Sequence, residues 1–150
     1  MLKRFDIKLA TLFIFLLVVA LLNGYFFNWL NESFYHSESD ENGLSDFSKP
    51  SKFMLIVVIV PFVETYVFQY LPNIILQKMN IRNNFVLIVM PSLLFGCAHF
   101  YSWIYAAMAF FGGICINILY VYAKTRTNYY FLIVTGFHAL YNLYGFFFVV

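Results

Sequence analysis

Long apolar runs broken by short polar stretches dominate the chain, and their lengths define the elements. Five runs approach the ~20 residues that a helix needs to cross a bilayer. They extend from Leu9 to Leu30, Phe53 to Leu76, Phe85 to Tyr105, Ala106 to Tyr122 and Tyr129 to Val150. The third and fourth abut, because "HFYSWIYAAM" contains no charge, glycine or proline. Residues 85–122 are too long for one crossing, so a tight reversal is expected near Ser102 to Ala106. The one long polar stretch, Asn31 to Lys52, carries Glu32, Glu38, Asp40, Glu41 and Asp46 and reads as a solvated loop with His36 at the surface. Lys3, Arg4 and Lys8 precede the first run as in a signal peptide, but the run continues through "FFNWL" without a small-residue cleavage site, which predicts an uncleaved span. The pattern predicts an all-α polytopic membrane helix bundle of about five transmembrane helices. Residues 1–52 would form an N-terminal transmembrane helix and an acidic extracytoplasmic loop, and residues 53–150 a compact core of four helices.

Composition supports the same solvent. The chain is 63% hydrophobic, 23% aromatic and 11% charged, whereas a soluble domain is about 45–50% apolar and about 25% charged. Twenty Phe and twelve Tyr suit lipid contact and the interfacial belts. The net charge of +2 is too small to argue for a nucleic-acid partner. Cys97 and Cys115 both fall inside apolar runs, without CxxC or metal-ligand spacing, and are expected to be reduced core thiols. The distribution of cations gives an orientation. With the N-terminus cytoplasmic, five crossings place Lys3, Arg4, Lys8, Lys78, Arg82, Lys124 and Arg126 inside and leave Lys49 and Lys52 outside, so seven of the nine cations obey the positive-inside rule. The expected location is a bacterial plasma membrane.

Against this apolar background a few polar residues stand out. Glu64, in "IVPFVETYVFQYLPN", lies near the middle of the second run. A charged side chain at the bilayer centre costs at least ~2.5–3.5 kcal/mol, so such acids face the protein interior and mark function. Pro61, one turn before it, frees a backbone carbonyl and opens the helix locally, and Pro72 does the same beyond it. His99 lies late in the third run with Phe95 and Ser92 on roughly the same face. In the last run, "TGFHALYNLYG" places His138 and Asn142 four residues apart, stacked on one face. A lone histidine on an apolar helix is more often a satisfied core residue than a functional one. Four polar groups on three helices at comparable depth, including the one acid in mid-membrane, favour function. Gly112 and Gly113 permit a close helix approach, and Asn117 one turn on is placed to hydrogen-bond across it.

A carboxylate held away from bulk water can act as a general base on water. An imidazole can share that proton or bind a divalent metal such as zinc, and a second imidazole with a carboxamide can donate to a developing oxyanion. The set describes hydrolysis of an acyl bond. Ser92 is seven residues from His99, and Cys97 is two away on another helix face, so water is the better nucleophile. The metal candidates are Glu64, His99 and His138, and a glutamate-activated water without metal explains them equally well.

These residues resemble the CPBP intramembrane proteases, a family that includes the CAAX prenyl endopeptidases, bacteriocin-processing enzymes and the Abi self-immunity proteins. The family carries EExxxR, FxxxH and HxxxN on separate membrane helices. Phe95 and His99 in "FGCAH" match the second motif, and His138 and Asn142 in "HALYN" the third. Order, spacing and the intervening span agree over about Phe53 to Val150. The first motif departs: "ETYVFQ" keeps Glu64, but Thr65 stands for the second acid and Gln69 for the arginine. The resemblance implies an intramembrane endopeptidase acting on a peptide or protein substrate, in which Glu64 and His99 activate a water while His138 and Asn142 position the scissile carbonyl or its oxyanion. Thr65 and Gln69 would replace a supporting ion pair by a neutral polar pair. Changing both partners together is the tolerable substitution, because a buried charge left alone is the costly one.

Two other classes compete. A non-catalytic protein of the same fold, acting in bacteriocin self-immunity or as a scaffold, fits the altered first motif. A small transporter or proton relay fits the buried ionisable groups, but the chain has no inverted repeat or matched pair of broken helices. No residue specifies the cleavage site or the oligomeric state. The orientation makes a direct prediction: in a cysteine-free background, cysteines introduced at Ser39 and Thr127 should label from opposite faces of the membrane, and labelling of both from one face would remove the five-span topology.

Overall fold

A computed structural model of the protein describes residues 6–35, 47–100 and 102–148. His36 and Val150, both assigned positions from the sequence, lie outside these residues. Among the described residues every regular element is a helix. Helix α1 spans Ile7–Tyr35, α2 Lys49–Lys78, α3 Asn84–Ala98, α4 Trp103–Arg126 and α5 Tyr130–Phe148. α1, α2, α4 and α5 are each long and apolar enough to cross a membrane, while α3 is a shorter apolar helix. The architecture is the expected all-α membrane bundle.

Helix ends follow local polar chemistry. The Asp6 carboxylate accepts from the backbone N–H groups of Lys8 and Leu9 at 3.1 and 3.2 Å and starts α1. Asn80 takes a positive φ of 61° at the end of α2, a conformation that asparagine tolerates better than bulkier residues. Asn83 then caps α3 by accepting from Phe85 N–H at 2.8 Å. Ser102 caps α4 by accepting from Tyr105 N–H at 3.5 Å. That cap corrects the expected boundary between the third and fourth runs. α3 ends at Ala98 and α4 begins at Trp103, so of the expected Ser102 to Ala106 segment only Ser102 lies outside the helices. The polar stretch is also shorter than expected: α1 runs on to Tyr35, and Ser48 starts α2 at Lys49.

α4 is the axis of the bundle and the most deeply buried of the four long helices. Leu9, Leu16 and Ala20 of α1 pack with Cys115, Ile116, Leu119, Tyr120 and Ala123 of α4, and with Val134 and Phe137 of α5. Lipid is as apolar as these side chains, so close packing and interhelical hydrogen bonds hold the helices together. Phe15, Phe26, Leu22 and other large side chains remain on the outer surface, where lipid is the natural neighbour. Cys115 is buried as expected, but Cys97 lies on the exposed face of α3, which corrects its assignment to the core.

The closest packing joins α3 to α4. A Cβ on Gly96 would stand 2.9 Å from Phe110 Cβ and 3.0 Å from the Ala106 carbonyl oxygen; one on Gly113 would stand 3.1 Å from the Phe95 ring and 3.3 Å from Ser92 Cα. Asn117 donates across this seam to Ser92 Oγ at 3.1 Å, as its spacing predicted.

α2 is not a regular α-helix. Its turns widen to π-helical geometry over Met54–Ile59 and again over Thr65–Tyr70, and each wide segment ends two residues before a proline, Pro61 or Pro72. Proline lacks an N–H and its ring crowds the carbonyl one turn back, so widening is the local relief. The wide turns also align the buried face. Val57, Pro61, Thr65, Gln69 and Asn73 are buried at strict four-residue intervals. In an ideal α-helix such a stripe would rotate about 40° per step. Underwound turns offset that rotation and keep the stripe facing the bundle.

The packing predicts that Gly96→Ala will be costly, since one of the opposing atoms is backbone. A loss of about 1–3 kcal/mol is expected, the usual penalty for overpacking, and unfolding in mixed micelles would measure it.

Candidate active site

Three of the polar residues singled out by the sequence meet where α2, α3 and α5 come together. Glu64 lies at the edge of the buried stripe of α2, with its side chain 21% exposed. His99 Nε2 stands 3.8 Å from Glu64 Oε1, and His138 Nε2 stands 3.3 Å from Glu64 Oε2. Each imidazole addresses its own oxygen of one carboxylate.

His99 reaches this position because α3 is short. Fifteen residues at ~1.5 Å per residue give about 22 Å, less than the ~30 Å thickness of the hydrocarbon core. His99 is therefore not inside a helix, as its run suggested, but is the first residue beyond α3. Its backbone N–H donates to the Gly96 carbonyl at 3.0 Å, and its Nδ1 lies 2.7 Å from the Phe95 carbonyl oxygen. A carbonyl only accepts, so Nδ1 carries the hydrogen, and in a neutral ring the Nε2 lone pair then faces Glu64. The same bond supplies a partner for a carbonyl in the last turn of α3. Non-helical backbone at such a depth is tolerated where protein covers it or where it lines a polar cavity.

Phe95 sets the spacing of the two imidazoles. Its ring centroid lies 4.6 Å from that of His99 and 5.7 Å from that of His138, both edge-on, and Phe68 of α2 packs against it at 5.4 Å. Gly113 leaves room for the ring from the α4 side. Sequence spacing indicated that Phe95 shares a face with His99, but not that it also touches His138. His138 is almost wholly buried, and its Nδ1 has no hydrogen-bond partner among the described residues.

Asn142 follows His138 by one turn of α5, yet its amide nitrogen donates to the Ile56 carbonyl at 3.0 Å. Ile56 lies two turns before Glu64 on α2. Thr65 and Gln69 are wholly buried on the α2 stripe. Neither the Thr65 hydroxyl nor the Gln69 carboxamide has a hydrogen-bond partner among the described residues, so the expected neutral pair does not bond to itself. Asn73, which the sequence reading passed over, continues this stripe and donates to the Leu87 carbonyl of α3 at 3.3 Å. Its signal was available: Asn73 is two four-residue steps beyond Thr65, within an apolar run.

Glu64, His99 and His138 carry the donor atoms that a metal ion would need. Zinc draws nitrogen and oxygen ligands to about 2.0–2.2 Å of a common centre. Among the described residues no group of three or more His, Cys, Asp or Glu side chains is arranged to hold a metal ion. The two histidines instead address separate oxygens of Glu64.

Residues 47–144 match the family model described as type II CAAX prenyl endopeptidase, Rce1-like. The chain belongs to the Rce1-like family. This supports assignment as a peptide hydrolase and, with the four long apolar helices, as an integral membrane protein. The matched residues contain all of α2, α3 and α4 and most of α5, and so every residue of the site. Comparison with curated proteins and with solved structures finds no match.

If Phe95 spaces the imidazoles in this Rce1-like site, Phe95→Ala should lower stability by about 3–5 kcal/mol, the usual cost of emptying a phenylalanine site, and Phe95→Leu by much less. Unfolding of the two variants in the same detergent would test the difference.

Proposed function

We propose that the protein is an intramembrane endopeptidase in which Glu64 and His99 activate a water for attack on a peptide carbonyl. The observation that carries this reading is the pair of Nε2 atoms facing opposite oxygens of a single membrane-embedded carboxylate. The 3.8 Å between His99 Nε2 and Glu64 Oε1 exceeds a direct hydrogen bond and suits a water that donates to both acceptors. Glu64 takes one proton from that water as its oxygen bonds to the scissile carbon. His138, through Nε2–H, stabilises the carboxylate in the resting state and turns to the developing oxyanion as Glu64 takes up its proton. Collapse breaks the C–N bond, and Glu64 passes its proton to the departing amine. The products are a carboxylic acid and an amine, which exchange the remaining proton once released, and the enzyme returns to its starting protonation.

The substrate is proposed as a peptide or protein segment that reaches the membrane, with the site in a bacterial plasma membrane and the N-terminus cytoplasmic. One observation favours a second reading, that of a non-catalytic self-immunity or scaffold protein. Where the family motif has an acid and an arginine, this chain buries Thr65 and Gln69 without a hydrogen bond between them.

Glu64→Gln separates the two. The variant keeps shape and hydrogen-bonding capacity but cannot accept a proton, so peptide hydrolysis should fall by at least the ~10²–10⁴-fold typical of lost acid-base catalysis. Its melting temperature should equal or slightly exceed that of the wild type, because an amide is less costly to bury than a carboxylate. A lower melting temperature with unchanged hydrolysis would remove Glu64 from catalysis. A wild-type protein that cleaves nothing in a broad peptide library would favour the scaffold reading.

A further inference from the structure

The Ile56 carbonyl is an unusual acceptor. In the widened turn of α2 the Val60 N–H reaches back five residues to the Leu55 carbonyl. The next donor in that register would be residue 61, a proline with no N–H. The Ile56 carbonyl therefore receives neither donor that its own helix would offer it. Asn142 supplies one from α5 at 3.0 Å.

The same arrangement recurs on another helix pair. Pro91 deprives the Leu87 carbonyl of its partner four residues on, and Asn73 of α2 donates to that carbonyl at 3.3 Å. In both cases a proline frees a carbonyl inside an apolar bundle and an asparagine from a neighbouring helix satisfies it. In lipid an unsatisfied backbone group costs several kcal/mol, so these bonds fix helix positions.

We infer that Asn142 is a positioning residue: its carboxamide clasps the carbonyl freed by Pro61 and holds α2 so that Glu64 stays against His138. Asn142 and His138 are one turn apart on α5 and meet α2 at two levels, one on backbone and one on the Glu64 carboxylate. Pro61 lies three residues before Glu64, so the course of α2 at the carboxylate depends on how the wide turn is held. The consequence for turnover rests on the endopeptidase reading, whereas the clasp itself does not.

A double-mutant cycle on the full chain in detergent tests this. Pro61→Ala restores an N–H to the wide turn and gives the freed carbonyl an internal donor. In the wild-type background, Asn142→Ala should lower both melting temperature and kcat for a quenched peptide that the wild type cleaves, with turnover falling on the order of tenfold. In the Pro61→Ala background the same change should cost little in either quantity, so that the double variant matches Pro61→Ala alone. Asn142→Asp, which keeps the shape but loses the donor, should lower the melting temperature at least as much as Asn142→Ala. If Pro61→Ala does not fold, Pro61→Ser supplies the same N–H. Equal penalties from Asn142→Ala in both backgrounds would overturn the clasp. So would a loss of turnover with no change in melting temperature, which is the signature of an oxyanion donor. Should the wild type cleave no peptide, the endopeptidase reading falls and the melting temperatures alone still decide the clasp.

Discussion

Backbone groups buried in an apolar bundle need partners, and in this protein that constraint shapes nearly everything near the site. Proline appears at Pro61, Pro72 and Pro91, each within a helix that packs around the carboxylate. Each removes a donor from a place where water is scarce. The chain responds by widening α2 and by sending asparagine side chains across helix interfaces, from Asn142 to Ile56 and from Asn73 to Leu87. Asn23 of α1 donates in the same way to the Met108 carbonyl of α4 at 2.9 Å. A carboxamide suits this role because it donates without carrying a charge. These bonds between side chain and backbone fix the register of the helices that bring Glu64, His99 and His138 together.

Much of this was legible in the sequence, and what was not has a common cause. The runs of apolar residues located the helices, because the bilayer sets their length directly. Glu64, His99 and His138 were identifiable because an ionisable group in such a run carries a high cost. The end of α3 was not legible, since nothing in "HFYSWIYAAM" is polar enough to mark a turn. Hydrogen bonding, not hydropathy, ends that helix: the His99 ring caps a carbonyl behind it and Ser102 starts the next helix. The partner of Asn142 was equally hidden. Spacing shows which face a residue occupies, but not whether it meets a side chain or a backbone carbonyl on the opposite helix. The register of α2 depends on two wide turns that have no compositional signature beyond the prolines that follow them.

The departure at Thr65 and Gln69 belongs to the same set of constraints. Both residues occupy the buried stripe of α2 that runs from Val57 to Asn73, and neither is reached by solvent. An acid and an arginine placed there would need each other, and losing either alone would strand a charge. With two neutral residues the requirement disappears, and the α2–α3 contact is carried by Asn73 on Leu87, with Phe68 against Phe95. The stripe is thus polar without an ion pair among the described residues.

Glu64 is then held by contacts that do not involve its own neighbours in sequence. Phe95 fixes the distance between the two imidazoles by touching both rings. The Phe95 carbonyl fixes the tautomer of one of them. A single residue therefore controls where the histidines stand and which nitrogen of His99 faces the carboxylate. Such coupling explains how a site with few polar residues stays ordered in an apolar bundle. The aromatic ring supplies rigidity by packing, the backbone beneath it supplies the hydrogen bond that orients the His99 ring, and a carboxylate between two imidazoles is left with one oxygen facing each.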